Sequence, residues 1–145
     1  MQHFSITKAL VLNNNGELLQ LRRSPSDNRR PGQWDVPGGQ VDPGEDIMQA
    51  LVREIREEAG VNVTVPQLGL VYATSKAVDG KAATWTFFVV QLDHTPEVQL
   101  SFEHDEYRWL PPQQALDGIE YDLHKDMLRY VLANDLLGAE HATDN

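Results

Sequence analysis

The chain has 145 residues, 41% of them apolar and 23% charged, with a formal net charge of −10 and no cysteine. This is enough chain for one domain with a proper core, and the lack of cysteine excludes disulfides and thiolate chemistry. The acidic balance excludes a broad nucleic-acid footprint, which needs clustered Lys and Arg. No apolar run reaches the roughly 18 residues of a membrane span, and residues 1–10 lack a basic segment leading into an apolar one, so no secretory signal and a cytoplasmic location are expected.

Residues 4–12 are apolar and β-branched and predict a strand, Asn15-Gly16 predicts a hairpin, and residues 17–22 return as a second strand. Residues 24–33 are rich in turn formers and predict a loop. Arg22, Arg23, Arg29 and Arg30 cluster in and before it, suited either to bidentate contacts with phosphates or to a solvated loop with compensating charge. Trp34–Val36 predicts a short strand that stops at Pro37-Gly38-Gly39, where paired glycines allow a ligand close to the backbone. Pro43-Gly44 marks a turn, and a helix is expected over 45–59, opened by Glu45 and Asp46 and ended by Gly60. Strands over 63–75, with a break at Pro66, and over 83–92 are joined across Asp79-Gly80.

A last strand is expected over 105–110, a helical turn over 111–116, and a second main helix over 121–137 with Leu123, Met127, Leu128, Val131 and Leu132 on its core side. The order of elements implies an α/β fold, a mixed sheet with a helix on each face. A single domain over 1–137 and a frayed tail over 138–145 are expected.

The first helix carries the chemistry. Glu54, Glu57 and Glu58 stand at i, i+3 and i+4 and fan over roughly 100° of one face. Ile47, Ala50, Leu51, Val52, Ile55 and Ala59 form its apolar arc, while Gln49, Arg53 and Arg56 mark the wet face. Glu54 and Glu58 fall just inside the edge of the apolar arc. Charge buried there is costly unless paired or metal-bound, and the three acids repel by roughly 0.2–0.5 kcal/mol per pair in water. The spacing fits either a site for a hard divalent cation, Mg²⁺ or Mn²⁺, or an acidic stripe on a surface helix.

Gly39-x5-Glu45-x7-Arg53-Glu54-Ile55-x-Glu57-Glu58-x-Gly60-Val61 agrees with the Nudix box at every fixed position, and Trp34-Asp35-Val36-Pro37-Gly38 is similar to the run that leads into it. The chain therefore resembles the Nudix hydrolase family, in its MutT-like form. The resemblance is strong over 34–61 and elsewhere rests on the order of elements; Asp42 departs from the Glu that many relatives carry. It implies the Nudix fold, an α/β/α sandwich, and metal-dependent hydrolysis of a nucleoside diphosphate linked to another group. By resemblance, Glu57 and Glu58 are the main metal ligands, Glu54 is a ligand or the base that orients water, and the Gly38 carbonyl is a further ligand. Arg53 then holds a glutamate in position, with Glu45 in support.

Many relatives add an acid from a later loop. Here Glu103, Asp105 and Glu106 compete, and Glu103 is preferred because it precedes the strand. Arg23, Arg29 and Arg30 are the expected substrate-binding residues. His3, His94, His104, His124 and His141 lack ligand spacing and read as surface residues, with His104 of interest beside Glu103. Trp34, Tyr72, Trp85, Phe87 and Tyr121 serve either a core or a base stack.

The leading expectation is a nucleoside triphosphate pyrophosphohydrolase. The alternatives are hydrolysis of a nucleotide sugar, ADP-ribose or a dinucleoside polyphosphate, and a non-catalytic nucleotide-sensing domain. Lys76, Ala77 and Val78 stand where some ADP-ribose enzymes carry proline, and the complete acid set counts against a sensor. The expected partner is a small nucleotide, with no nucleic acid polymer and no membrane, and a homodimer is left open.

Overall fold

A computed structural model describes residues 2–138. The tail expected over 138–145 lies outside these residues except for Gly138. β1 (Gln2–Leu12) is the spine of a seven-stranded mixed sheet. It runs parallel to β6 (Lys81–Gln91) along its whole length and pairs antiparallel with β4 (Gly38–Gln40) from Ile6 to Lys8. β2 (Leu18–Arg23) joins it at Leu12↔Leu18 and carries β3 (Trp34–Asp35) and β7 (His104–Leu110). β5 (Gly69–Val78) pairs with β6.

β1 reads as continuously apolar over Ala9–Leu12 because both of its faces are buried. Ala9 and Val11 meet Leu51, Ile55 and Ala59 of α1 (Ile47–Ala59). Leu10 and Leu12 meet Met127, Leu128 and Val131 of α3 (Asp122–Ala133), with Ala115 of α2 (Pro112–Asp117) beside them. The result is the expected α/β/α sandwich with two cores. Asp79 and Gly80, at φ 52° and 76°, close the β5–β6 hairpin as the two-residue turn that strand twist favours.

Besides shifts of one or two residues at other element ends, four features differ from expectation. α1 begins at Ile47, because Asp46 is its N-cap and accepts from the Gln49 amide. The strand expected from residue 63 begins only at Gly69 and runs on to Val78: Val65–Gln67 form a 3₁₀ turn around Pro66, which has no N–H for a ladder. The second main helix ends at Ala133, and Leu136 and Leu137 pack on the core from the turn beyond it. Gly38 and Gly39, expected to stop the preceding strand, form with Gln40 a strand of their own. Gly38 lies at φ 141°, and a Cβ there would collide with the Thr7 carbonyl oxygen.

Candidate active site

α1 presents its glutamates to β4 differently. Glu58 is 5% exposed, and its Oε1 accepts from the Gly38 amide at 2.9 Å. Burial pushes its carboxyl up to about 8, against the pull of Lys8 and the Gly38 N–H. Glu54 packs its carboxylate on Gly39, where an added Cβ would come within 3.0 Å. Burial raises its carboxyl too, opposed by Arg53. Glu57 is half-exposed and accepts from Arg53 Nη1 at 2.9 Å.

Arg53 ties the group together. It donates from Nε and Nη2 to both oxygens of Glu45, at 2.6 and 2.8 Å, and from Nη1 to Glu54 at 2.9 Å. This pairing holds the Glu45 carboxyl down at about 2. Among the described residues, no three carboxylate or imidazole side chains gather as a metal-holding group, and Glu57 is turned toward Arg53. The donor set nonetheless fits a hard divalent cation. Two poorly solvated carboxylates with raised proton affinity adjoin the Gly38-Gly39 backbone, and a cation would favour their ionised forms.

Asp35 is the centre of a second network. It is 2% exposed and pairs with Lys8 at 3.3 Å, Arg23 at 2.8 Å, Arg30 at 3.4 Å and His124 Nδ1 at 3.4 Å. Burial alone would raise its carboxyl, but Lys8, His124 and the two arginines together hold it well below the usual range. Lys8 Nζ also donates to the carbonyls of Val36 and Gly38, at 3.2 and 3.4 Å. Sequence reasoning passed over Lys8 and Asp35. The signal was present: Lys8 and Asp35 are each the lone lysine, arginine or carboxylate of the strands expected over 4–12 and 34–36.

The two networks share a cleft of about 460 Å³. Glu54, Glu58 and Glu103 line it together with Arg23, Arg29 and Arg30. Glu103 adds to the negative potential at Glu54, and its carbonyl accepts from the Ser24 amide and hydroxyl, each at 2.9 Å. Asp105 and Glu106 are taken by Arg22, at 2.9 and 3.1 Å. The arginine cluster therefore divides, with Arg22 outside the cleft lining.

Two histidines read as surface residues are buried, His104 at 7% exposure and His124 at 2%. Both stand where two secondary elements meet, a setting that a lone histidine in sequence does not reveal. Burial first of all lowers each imidazole to about 4. The aromatics divide as well. Trp85 and Tyr121 line the cleft, Phe87 is core, Tyr72 packs on Phe87 and Tyr130, and Trp34 lies under the Arg108 guanidinium at 3.9 Å.

Residues 3–131 match the family model of the NUDIX domain, and the chain belongs to this family. It is 34% identical over 103 residues to an asymmetrical bis(5′-nucleosyl)-tetraphosphatase from Caenorhabditis elegans, covering 68% of this chain and 73% of that protein. It is 32% identical over 113 residues to a CTP pyrophosphohydrolase from Escherichia coli strain K12, covering 74% and 76%. The crystal structure of a MutT protein from Methanosarcina mazei Go1 superposes with a TM-score of 0.79 at 28% identity, covering 92% of this chain and 96% of that one. The protein is accordingly a Nudix pyrophosphohydrolase that acts on phosphoanhydride bonds, in a family whose members generally need divalent metal ions. Among the described residues, no helix is long and apolar enough to cross a membrane.

Proposed function

We propose that this chain is a MutT-like nucleoside triphosphate pyrophosphohydrolase that releases the monophosphate and pyrophosphate, uses Mg²⁺ or Mn²⁺, and works in the cytoplasm. The observation that carries this reading is the shared cleft, in which Glu54, Glu58 and Glu103 lie together with Arg23, Arg29 and Arg30. Acids for a cation and forked cations for a polyphosphate are both needed there.

In this reading Glu57, Glu58, Glu54 and the Gly38 carbonyl hold the cation, Glu57 after turning away from Arg53. When bound, the cation screens the phosphates and lowers the pKa of water. Arg23, Arg29 and Arg30 bind phosphate oxygens, and Trp85 and Tyr121 offer flat walls to the nucleoside. Glu103 takes the proton of the attacking water, with Glu54 as the alternative base. The water oxygen bonds to phosphorus as the bridging P–O bond breaks, and pyrophosphate leaves with the bond electrons. Arg53 holds Glu54 and Glu57 in place.

A second reading, a dinucleoside polyphosphate substrate, draws on the continuation of the cleft past Trp85 and Tyr121. A further chamber of about 490 Å³ lies there, with Lys76 and Lys81 in its walls. The two are separated by incubating the protein and Mg²⁺ with nucleoside triphosphates, 8-oxo-dGTP, nucleotide sugars, ADP-ribose and diadenosine polyphosphates, and resolving the products. We expect a triphosphate to be cut fastest, to monophosphate and pyrophosphate, with activity lost in EDTA. Preference for a diadenosine polyphosphate over every triphosphate would overturn the first reading, and full turnover in EDTA would overturn the metal site.

A further inference from the structure

We propose that His104 is a substrate-binding residue: its Nδ1, with Arg23 Nε and Arg30 Nη1, forms an anion pocket for a phosphate group of the substrate. This deepens the reading just given and rests on it. The cleft-lining residues include three buried nitrogens with no hydrogen-bond partner among the described residues, and they are these three. A buried nitrogen left unpaired forfeits its hydrogen bond with water, so three on residues of one cleft are a large deficit for a fold to keep. An anion that offers several oxygens removes it.

Other contacts already position each of the three residues. Arg23 spends Nη1 on Asp35 and Nη2 on Asp27, at 2.8 and 2.6 Å. Arg30 spends Nη2 on Asp35 at 3.4 Å, and its guanidinium stacks 4.2 Å from the centre of the Tyr121 ring. His104 is held opposite Arg23 in the β2–β7 ladder. Asp35 and Asp27 thus orient Arg23 and leave its Nε, while Asp35 and the Tyr121 ring orient Arg30 and leave its Nη1.

Around these nitrogens Lys8, Arg23 and Arg30 outnumber Asp35 and Asp27 by one, while Glu54, Glu58 and Glu103 line the same cleft. A third charged donor would have made the empty pocket harder to bury. The imidazole avoids that, because burial keeps it neutral near pH 7, and a neutral ring with its proton on Nδ1 still donates.

The probe is inorganic pyrophosphate, titrated calorimetrically in EDTA so that metal bridging plays no part. Wild type and Glu106→Gln, whose carboxylate pairs with Arg22 away from the pocket, should bind equally. His104→Leu should bind at least roughly 10-fold more weakly, the scale of one hydrogen bond to a charged group. His104→Asn, which keeps a donor near the Nδ1 position, should recover most of the loss. In steady state His104→Leu should raise KM for the triphosphate about as much, with kcat within roughly 3-fold. A merely structural histidine would lower stability and leave KM of the folded fraction unchanged. If neither variant folds, the wild type still decides: pyrophosphate should shift the ring-nitrogen resonance of His104.

Equal pyrophosphate affinity in wild type and His104→Leu, or an unmoved His104 resonance, would overturn the proposal. Loss of affinity in Arg23→Gln but not in His104→Leu would do so while leaving the triphosphatase reading intact. An intact His104 effect in a protein that cuts no nucleoside triphosphate would uphold the pocket and overturn that reading instead.

Discussion

Glu103 and Glu106 stand three residues apart and meet different surroundings. Glu103 lines the cleft and raises the proton affinity of Glu54. Glu106 is half-exposed and pairs with Arg22, which Asp105 also holds. Removing a general base costs about 10²–10⁴-fold and falls mainly on kcat, whereas an exposed ion pair contributes about 0–1 kcal/mol. Glu103→Gln should therefore lower kcat at least roughly 10²-fold, while Glu106→Gln stays near wild type. Steady-state kinetics at saturating Mg²⁺ checks this. The reverse ranking would move the role to Glu106, and two near-normal variants would leave catalysis with the helix glutamates.

Among the elements, β4 does the most for its size. Its three residues pair with β1 through Ile6, Thr7 and Lys8 and aim the Gly38 amide at Glu58. A Cβ on Gly38 collides with Thr7 and with Lys8 backbone. Gly38→Ala should thus strip β4 from β1 and release Glu58, and lower Tm by roughly 5 °C or more with a disproportionate loss of Mg²⁺-dependent activity. Gly16→Ala is the comparison, since Gly16 also has positive φ but open space where the Cβ would sit. Matched activity losses at matched destabilisation would show that β4 does not organise the site.

This strand is also where the sequence is hardest to read. Two glycines in three residues carry no side-chain period, so nothing in Gly38–Gln40 announces pairing. β1 and α1 were legible because their apolar periods run for several residues and end at recognisable punctuation, Asn15-Gly16 and Gly60. The C-terminal end of α3 misled for the converse reason. Leu136 and Leu137 continue the apolar pattern, but that pattern reports burial, and the chain has left the helix by Asn134. The glutamate face was legible because it is local. The Lys8–Asp35 pair spans 27 positions and joins strands whose adjacency no local period encodes.

At the scale of the whole molecule, stability and site are coupled through buried charge. Asp35 links β3 to β1, β2, the 24–33 loop and α3, while Glu58 sits buried against β4. Their titrations act in opposite directions. His104 and His124 have folded values near 4, below the ordinary ~6.5, so their contribution is present above about pH 6.5 and lost as pH falls toward 4. Glu58 has a folded value of about 8, above the ordinary carboxylate range of ~4.3, so its contribution is full at low pH and lost as pH rises through 8. Between about pH 7.5 and 8.5 the histidines are almost fully deprotonated in both states, while folded Glu58 is still losing its proton. The metal-free wild type should lose Tm across that window, while Glu58→Gln stays nearly flat and ends roughly 5 °C or more above it. Mg²⁺ should restore the wild type increasingly with pH, because only the ionised site binds the cation and only the folded state offers it, and should do little for Glu58→Gln. Thermal melts of both proteins in EDTA and in Mg²⁺ measure all four curves. Parallel wild-type and Glu58→Gln curves in EDTA would mean that Glu58 is already ionised in the empty site, with Lys8 as its counter-charge.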